Sequence, residues 1–219
     1  MKKTVIFGVT PFSFLIREDM EADGHHVSAF TVNRAYLPEK WEDSAPLVAF
    51  EDLDTWAGED GFEVIVTVGY KKMNEHRKAV FDQCRERGYE IGSFIHSRAR
   101  CEAAKMGVGN ILLEGSRISR FSVVGDGNIF VNDTVIGHES EVGSFNFFAG
   151  MTTGGIVHIG DHCFLGMKSI VCNNIRVGSY TLLGAGTVLS KDSEEHMVVM
   201  PAKNRTMKLD LESMDSLLV

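Results

Sequence analysis

The chain has 219 residues, 44% of them hydrophobic and 24% charged, which is ordinary for a soluble globular protein and enough for one large domain or two modest ones. Its formal net charge of −8, with no basic run to offset it, argues against a nucleic-acid partner, which would need a concentrated basic surface. Nothing approaches the ~20 apolar residues of a membrane span. The cysteines, Cys84, Cys101, Cys163 and Cys172, show no CxxC spacing, so reduced thiols and a cytoplasmic location are expected.

The opening "MKKTVIFGVTPFSF" slightly mimics a signal peptide, but its apolar run is short and no small-residue cleavage site follows. A buried first strand over 4–9 is the better reading, since "TVIFGV" is apolar throughout, as a strand covered on both faces should be. "FSFLIREDMEADG" has helical spacing and stops at Gly24. Further strands are expected at 26–32 ("HVSAFTV"), 62–70 ("FEVIVTVGY") and 90–96 ("EIGSFIH"), with a charged helix, "KKMNEHRKAVFDQCRERG", between the last two. This alternation predicts a small parallel sheet with helices on its faces over residues 1–97. Such sheets bind ligands beyond the carboxyl ends of their strands, which singles out "GVTPF" (8–12), "NR" (33–34) and "GYKK" (69–72). The first is not a GxGxxG fingerprint, so a dinucleotide is not expected there.

From about residue 106 the pattern changes. Bulky apolar residues recur every six positions at Leu112, Ile118, Val124, Phe130, Ile136, Val142 and Phe148. The series resumes at Ile159, Leu165, Val171, Val177, Leu183 and Leu189, after a gap of eleven. Small residues follow four places on, among them Ser116, Ser122, Thr134, Ser140, Thr152, Cys163, Ser169 and Thr181. Neither a helix nor a heptad repeats every six residues, whereas a hexapeptide β-helix does, with three hexads closing a triangular coil of about 18 residues. The boundaries read from this are an α/β unit at 1–97, a linker at 98–105, an all-β parallel β-helix at 106–203 and a tail at 204–219 that forms a short capping helix.

Hexads such as "IGDHCF-LGMKSI-VCNNIR-VGSYTL-LGAGTV", closing on "VVMPAK", resemble the left-handed β-helix acyltransferases. With a Rossmann-like α/β domain in front, the chain resembles the sugar acetyltransferases of the sialic-acid and nucleotide-amino-sugar type. The resemblance implies a left-handed coil, a homotrimer, acetyl-CoA in a groove between adjacent β-helices, no metal and no covalent acyl-enzyme. "IGHESEVG" (136–143) matches the family's general-base motif, which makes His138 the base and Glu139 its supporting carboxylate. An imidazole titrates near neutrality, as deprotonation of an attacking amine or hydroxyl requires, and a nearby carboxylate favours the imidazolium.

The resemblance also implies a backbone N–H at Gly155 facing the thioester oxygen, although "GG" at 154–155 equally suits a shortened coil. It places acetyl-CoA contacts at Met167 and Ala185, and at Phe147, where relatives carry histidine. Substrate contacts fall on Thr10, Pro11 and Phe12, on Asn33 and Arg34, on Gly69, and on Asn132. "FGVTPFS" departs from the family's small-and-histidine loop, which suggests a different sugar or nucleotide. His158 and His162 have H-x₃-H spacing but no apparent third ligand, so no metal is expected. Cys163 reads as a structural thiol in a small interior slot.

Together these readings imply acetyl-CoA-dependent N-acetylation of a nucleotide-linked amino sugar. O-acetylation or transfer of another acyl group is the alternative that Phe147 keeps open. A non-catalytic trimeric sugar-binding scaffold is the alternative of another class.

Overall fold

Residues 2–202 are described by the structure, a computed structural model. The expected tail helix at 204–219 lies outside them. Residues 3–91 form a five-stranded, all-parallel sheet ordered β3-β2-β1-β4-β5, with β1 at Lys3–Phe7, β2 at Val27–Val32, β3 at Leu47–Ala49, β4 at Phe62–Val66 and β5 at Glu90–Ile91. Helices α1 (Pro11–Ala22), α2 (Leu53–Ala57) and α3 (Glu75–Glu86) connect the strands. The start of α1 follows from its sequence: Thr10 caps it in a reciprocal pair with Ser13, and Pro11 takes the first helical position, where no N–H is needed. The strand order reverses between β1 and β4, so the turns after these two strands lie side by side.

The stretch 90–96 is not one strand. Glu90–Ile91 completes the front sheet, and Phe94–Ile95 begins a second structure by pairing with Ile111–Leu112. Gly92 separates them, in a site where a Cβ would lie 2.7 Å from Ile65 Cδ1. From Phe94 onward every strand has two residues, and each pairs in parallel with the strand three further along the chain, up to the last pair, where Leu182–Leu183 meets Val198–Val199 two strands on. The result is a prism with three faces, of seven, six and five strands, beginning at Phe94–Ile95, Arg100–Cys101 and Lys105–Met106 respectively. Residues 98–105, read as a linker from sequence, therefore wind part of the first coil. Their hexad lacked bulky interior residues, since Cys101 and Ala103 pack there instead.

The interior of the prism is the predicted apolar column from Leu112 to Leu189. The gap of eleven is filled by Thr153, which is buried at the interior position and pairs in register with Val171. Its Oγ1 accepts the Gly137 N–H at 2.8 Å. The coil there is one residue short, so Met151, fully buried, takes the slot expected for Thr152, and Thr152 points outward. Cys163 fills its slot as expected, and burial pushes its thiol up to about 12.

The front sheet and helices lie against the outer side of face one. Ile111, Ile129 and Phe147, pointing out of the prism, pack with Ile6, Ile16 and Phe30. Arg77 of α3 crosses the seam fully buried, donating Nε to Gly127 O (2.8 Å), Nη2 to Asn146 O (2.9 Å), and Nη1 to Val68 O and Gly69 O (3.1 and 3.3 Å). Burial pushes this guanidinium down to about 9, still charged at neutral pH. At the edge between faces three and one, Phe145, His162, Tyr180 and His196 stack in a column at successive centroid spacings of 5.4, 4.8 and 4.9 Å. Tyr180 Oη donates to Glu75 of α3, and Met73 O lies 3.1 Å from His162 Nδ1.

Candidate active site

His138 follows the interior residue Ile136 and turns the chain from face two to face three. Glu139 has φ +55°, and the residues stacked with it on this edge, Phe121, Ile156 and Asn174, have φ of +64°, +58° and +59°. The left-handed residue at each level makes the corner, which directs the preceding side chain outward. The preceding residues form their own column: Arg120, His138, Gly155 and Asn173.

The His138 Nδ1 lies 2.9 Å from Glu139 Oε2, with the two side chains 60% and 56% exposed. A carboxylate accepts only, so Nδ1 is the donor, and in the neutral imidazole Nε2 is the nitrogen with the lone pair. Among the described residues Nε2 has no hydrogen-bond partner. The ring lies over Gly155, where a Cβ would come 2.6 Å from Nε2, 2.8 Å from Cε1 and 3.0 Å from Cδ2. Glycine at 155 is thus required by the imidazole above it. One ring nitrogen is thus held by a carboxylate and the other is open, an arrangement that suits a general base.

The N–H of Gly155, expected to face the thioester oxygen, donates to Asn173 Oδ1 at 2.9 Å, across one coil. Its neighbours are also engaged, Gly154 N with Val171 O and Ile156 N with His138 O, both at 2.8 Å.

The other expected residues divide between two places. Met167 and Ala185 occupy successive coils on the edge between faces one and two, linked by Gly186 N donating to Met167 O at 2.8 Å. Met167 is 64% exposed. Asn132 is exposed on the same edge. Face two separates this edge from His138.

Phe147 is on neither edge. It lies on the outer side of face one, only 8% exposed, stacked on Phe164 at 5.6 Å, with Phe12 at 6.4 Å and Tyr70 edge-on at 5.1 Å. The front domain's turns after β1 and β4 therefore meet the prism at an aromatic cluster that includes Phe12 and adjoins Gly69. Within one chain Phe147 packs that seam and does not flank the imidazole. Tyr70 belongs to the stretch 69–72 singled out from sequence, whereas Phe164 was missed, since its alignment with Phe147 depends on the 17-residue coil between 147 and 164.

In the turn after β1, Thr10 caps α1 and Pro11 is exposed. Gly8 has φ +135°, and a Cβ there would meet Ser13 Oγ and Thr67 Oγ1 at 2.5 and 2.6 Å. After β2, Asn33 Nδ2 donates to Gln83 Oε1 at 2.8 Å, and the Arg34 guanidinium pairs with Asp52 at 2.6 Å. A phosphate at Arg34 would compete with that carboxylate. His158 and His162 are not neighbours in space: His158 Nδ1 meets Glu141 on face three, and His162 is stacked in the aromatic column.

A family model described as bacterial transferase hexapeptide (six repeats) matches residues 156–191. Among solved structures, the chain is similar to perosamine N-acetyltransferase from Caulobacter crescentus, in complex with CoA and GDP-perosamine (TM-score 0.82, 23% identity, 92% of this chain and 94% of that one). It is similar also to the acetyltransferase domain of PglB from Neisseria gonorrhoeae (TM-score 0.81, 21% identity, 94% and 100%) and to WeeI from Acinetobacter baumannii (TM-score 0.80, 16% identity, 94% and 99%). No helix among the described residues is long and apolar enough to cross a membrane. The chain therefore has, over more than nine-tenths of its length, the fold of these acetyltransferase structures, with hexapeptide repeats in its second half.

Proposed function

We propose that the protein is an acetyl-CoA-dependent N-acetyltransferase acting on an amino sugar carried by a nucleotide. The observation that carries this reading is the His138 imidazole, fixed by Glu139 at Nδ1, open at Nε2 and seated on Gly155 at an exposed prism edge. The likeness to a perosamine N-acetyltransferase solved with CoA and GDP-perosamine supports the substrate class. In this reading Nε2 accepts a proton from the acceptor amine as its nitrogen attacks the thioester carbonyl. The tetrahedral intermediate then collapses, breaking the C–S bond, and the thiolate leaves as CoA with that proton.

The prism is left-handed in this reading, and the front unit is a Rossmann-like domain that holds the nucleotide-sugar at the turns after β1 and β4. Prism pairing from Phe94 supports a boundary between the two units just before that residue. Acetyl-CoA would lie along Met167 and Ala185. Because these share no edge with His138, one protomer's base serves the thioester seated on its neighbour, as a homotrimer with grooves between prisms allows. In this reading the protein works in the cytoplasm, which free thiols at Cys84, Cys101, Cys163 and Cys172 suit.

The test is thiol release from acetyl-CoA with a panel of nucleotide-linked amino sugars and their hydroxyl counterparts. Amine-dependent release that falls at least about 10²-fold in a folded His138→Ala trimer is expected. Release with the hydroxyl panel alone would replace the reading with O-acetylation, and silence throughout would leave a sugar-binding scaffold.

A further inference from the structure

We infer that Asn173 supplies the oxyanion-stabilising hydrogen bond, through its side-chain Nδ2. This inference rests on the acetyltransfer reading above. Developing negative charge on the thioester oxygen needs a donor already aimed at it. The segment beneath the imidazole, Gly154 to Ile156, has every N–H engaged, and Gly155 N–H in particular is held by Asn173 Oδ1 at 2.9 Å. That bond also orients the carboxamide. An N–H donor requires the oxygen on its side, so the amide nitrogen is the atom turned away from Gly155.

Among the described residues Asn173 Nδ2 has no hydrogen-bond partner, and Asn173 is exposed on the same edge as His138. Base and donor thus flank one residue: the imidazole rests on Gly155 from the coil above, and the carboxamide grips its N–H from the coil below. Gly154 carries no side chain where a Cβ would come 1.9 Å from Asn173 Oδ1, so the two glycines make room for both groups. The Gly155 N–H polarises the carboxamide it binds and so strengthens the donor at its other end.

In the reaction, the acceptor nitrogen forms its bond to the thioester carbon and the carbonyl π pair moves onto oxygen. Asn173 Nδ2–H donates to that oxygen while His138 Nε2 takes the amine proton. Collapse restores the C=O, expels the thiolate and returns the proton to sulfur.

Two substitutions separate this role from a merely structural one. Asn173→Asp keeps an oxygen for Gly155 N–H but cannot donate, and Asn173→Ala removes both functions and frees the N–H. The expected result is a fall in kcat of about 10²–10³-fold in both variants. KM for acetyl-CoA should stay in place in both variants, and the acid limb of the kcat/KM profile should stay in place in Asn173→Ala, which adds no charge beside the imidazole. If Asn173→Ala instead retains or gains activity, the released Gly155 N–H is the donor and the proposal is overturned. An active Asn173→Asp overturns it as well, and serves as the test should the alanine variant fail to fold. Wild-type protein that releases no thiol with any acceptor overturns this proposal together with the reading beneath it, whereas an active wild type with active variants overturns this proposal alone.

Discussion

Gly155→Ala isolates the seat of the imidazole from the rest of the fold. The φ of Gly155 lies outside the left-handed region, so an alanine there brings a steric problem and no backbone strain. The added methyl would lie 2.6 Å from His138 Nε2 and 2.8 Å from Cε1, well inside contact distance. The imidazole is the end of a mobile, exposed side chain, so it will swing away and leave Glu139. Because the pair is 60% and 56% exposed, losing it costs about 1 kcal/mol of stability at most. Losing a placed general base costs about 10²–10⁴ in rate, or about 3–5 kcal/mol of barrier. The expected outcome is a near-normal Tm with kcat for thiol release down at least about a hundredfold. Gly137→Ala is the contrast, since its Cβ would meet backbone, Gly154 O at 2.0 Å, and only a distorted coil can relieve that. A folded Gly155→Ala protein with wild-type kcat would refute the claim that the ring works from this seat.

Three other outcomes follow from the packing. Thr153→Val keeps the interior volume but removes the acceptor for Gly137 N–H, and should lower unfolding free energy by about 1–3 kcal/mol in denaturant melts. Arg77→Lys leaves most of the four carbonyls at the seam without their donor, and a loss of about 3 kcal/mol is expected in the same assay. The Asp23 carboxylate accepts from both the N–H and the Oγ of Ser97, which holds it below the usual aspartate range, with His96 and His25 adding in the same direction. A lowered carboxylate stabilises the fold above its unfolded pKa and loses that contribution as pH falls through the folded one. Asp23→Asn should therefore flatten the acid side of a Tm-against-pH curve.

The six-residue period was legible because an interior column tolerates few substitutes: one bulky residue per face, from Leu112 to Leu189, each stacked on the one three hexads away. It blurred where that rule relaxed. Thr153 occupies an interior position as a polar residue because the coil there is one residue short and its hydroxyl takes a backbone N–H. The first coil uses Cys101 and Ala103 inside, so the period was invisible before about residue 106. In the front sheet, strands of five and six residues announced themselves by apolar runs, but Leu47–Ala49 is too short to carry a pattern of its own.

His138 was legible as a candidate base through its motif. The engagement of Gly155 by Asn173 was not, because residues 18 apart meet only when the coils between them have a particular length. The packing of Phe147 against the front domain was not legible either, because contacts with Phe12 and Tyr70 join residues more than 70 positions apart in the chain.

That three-sidedness bears on the chemistry. Face one is covered by the front domain, which leaves faces two and three as surface, with the two edges that bound face two. One edge carries His138, Gly155 and Asn173, the other carries Met167 and Ala185, and face two holds them apart. Face two also exposes Ile170 at 43% and Val188 at 59%, paired in register on adjacent strands, with Ile156 at 42% on the adjoining edge one coil before. Apolar groups aligned in this way mark a surface suited to contact with another molecule. A neighbouring prism packed there would cover them and bring its own edge beside the first. The burial of apolar area and the completion of the proposed site would then be one event, and a lone subunit would carry both halves of the chemistry without being able to join them.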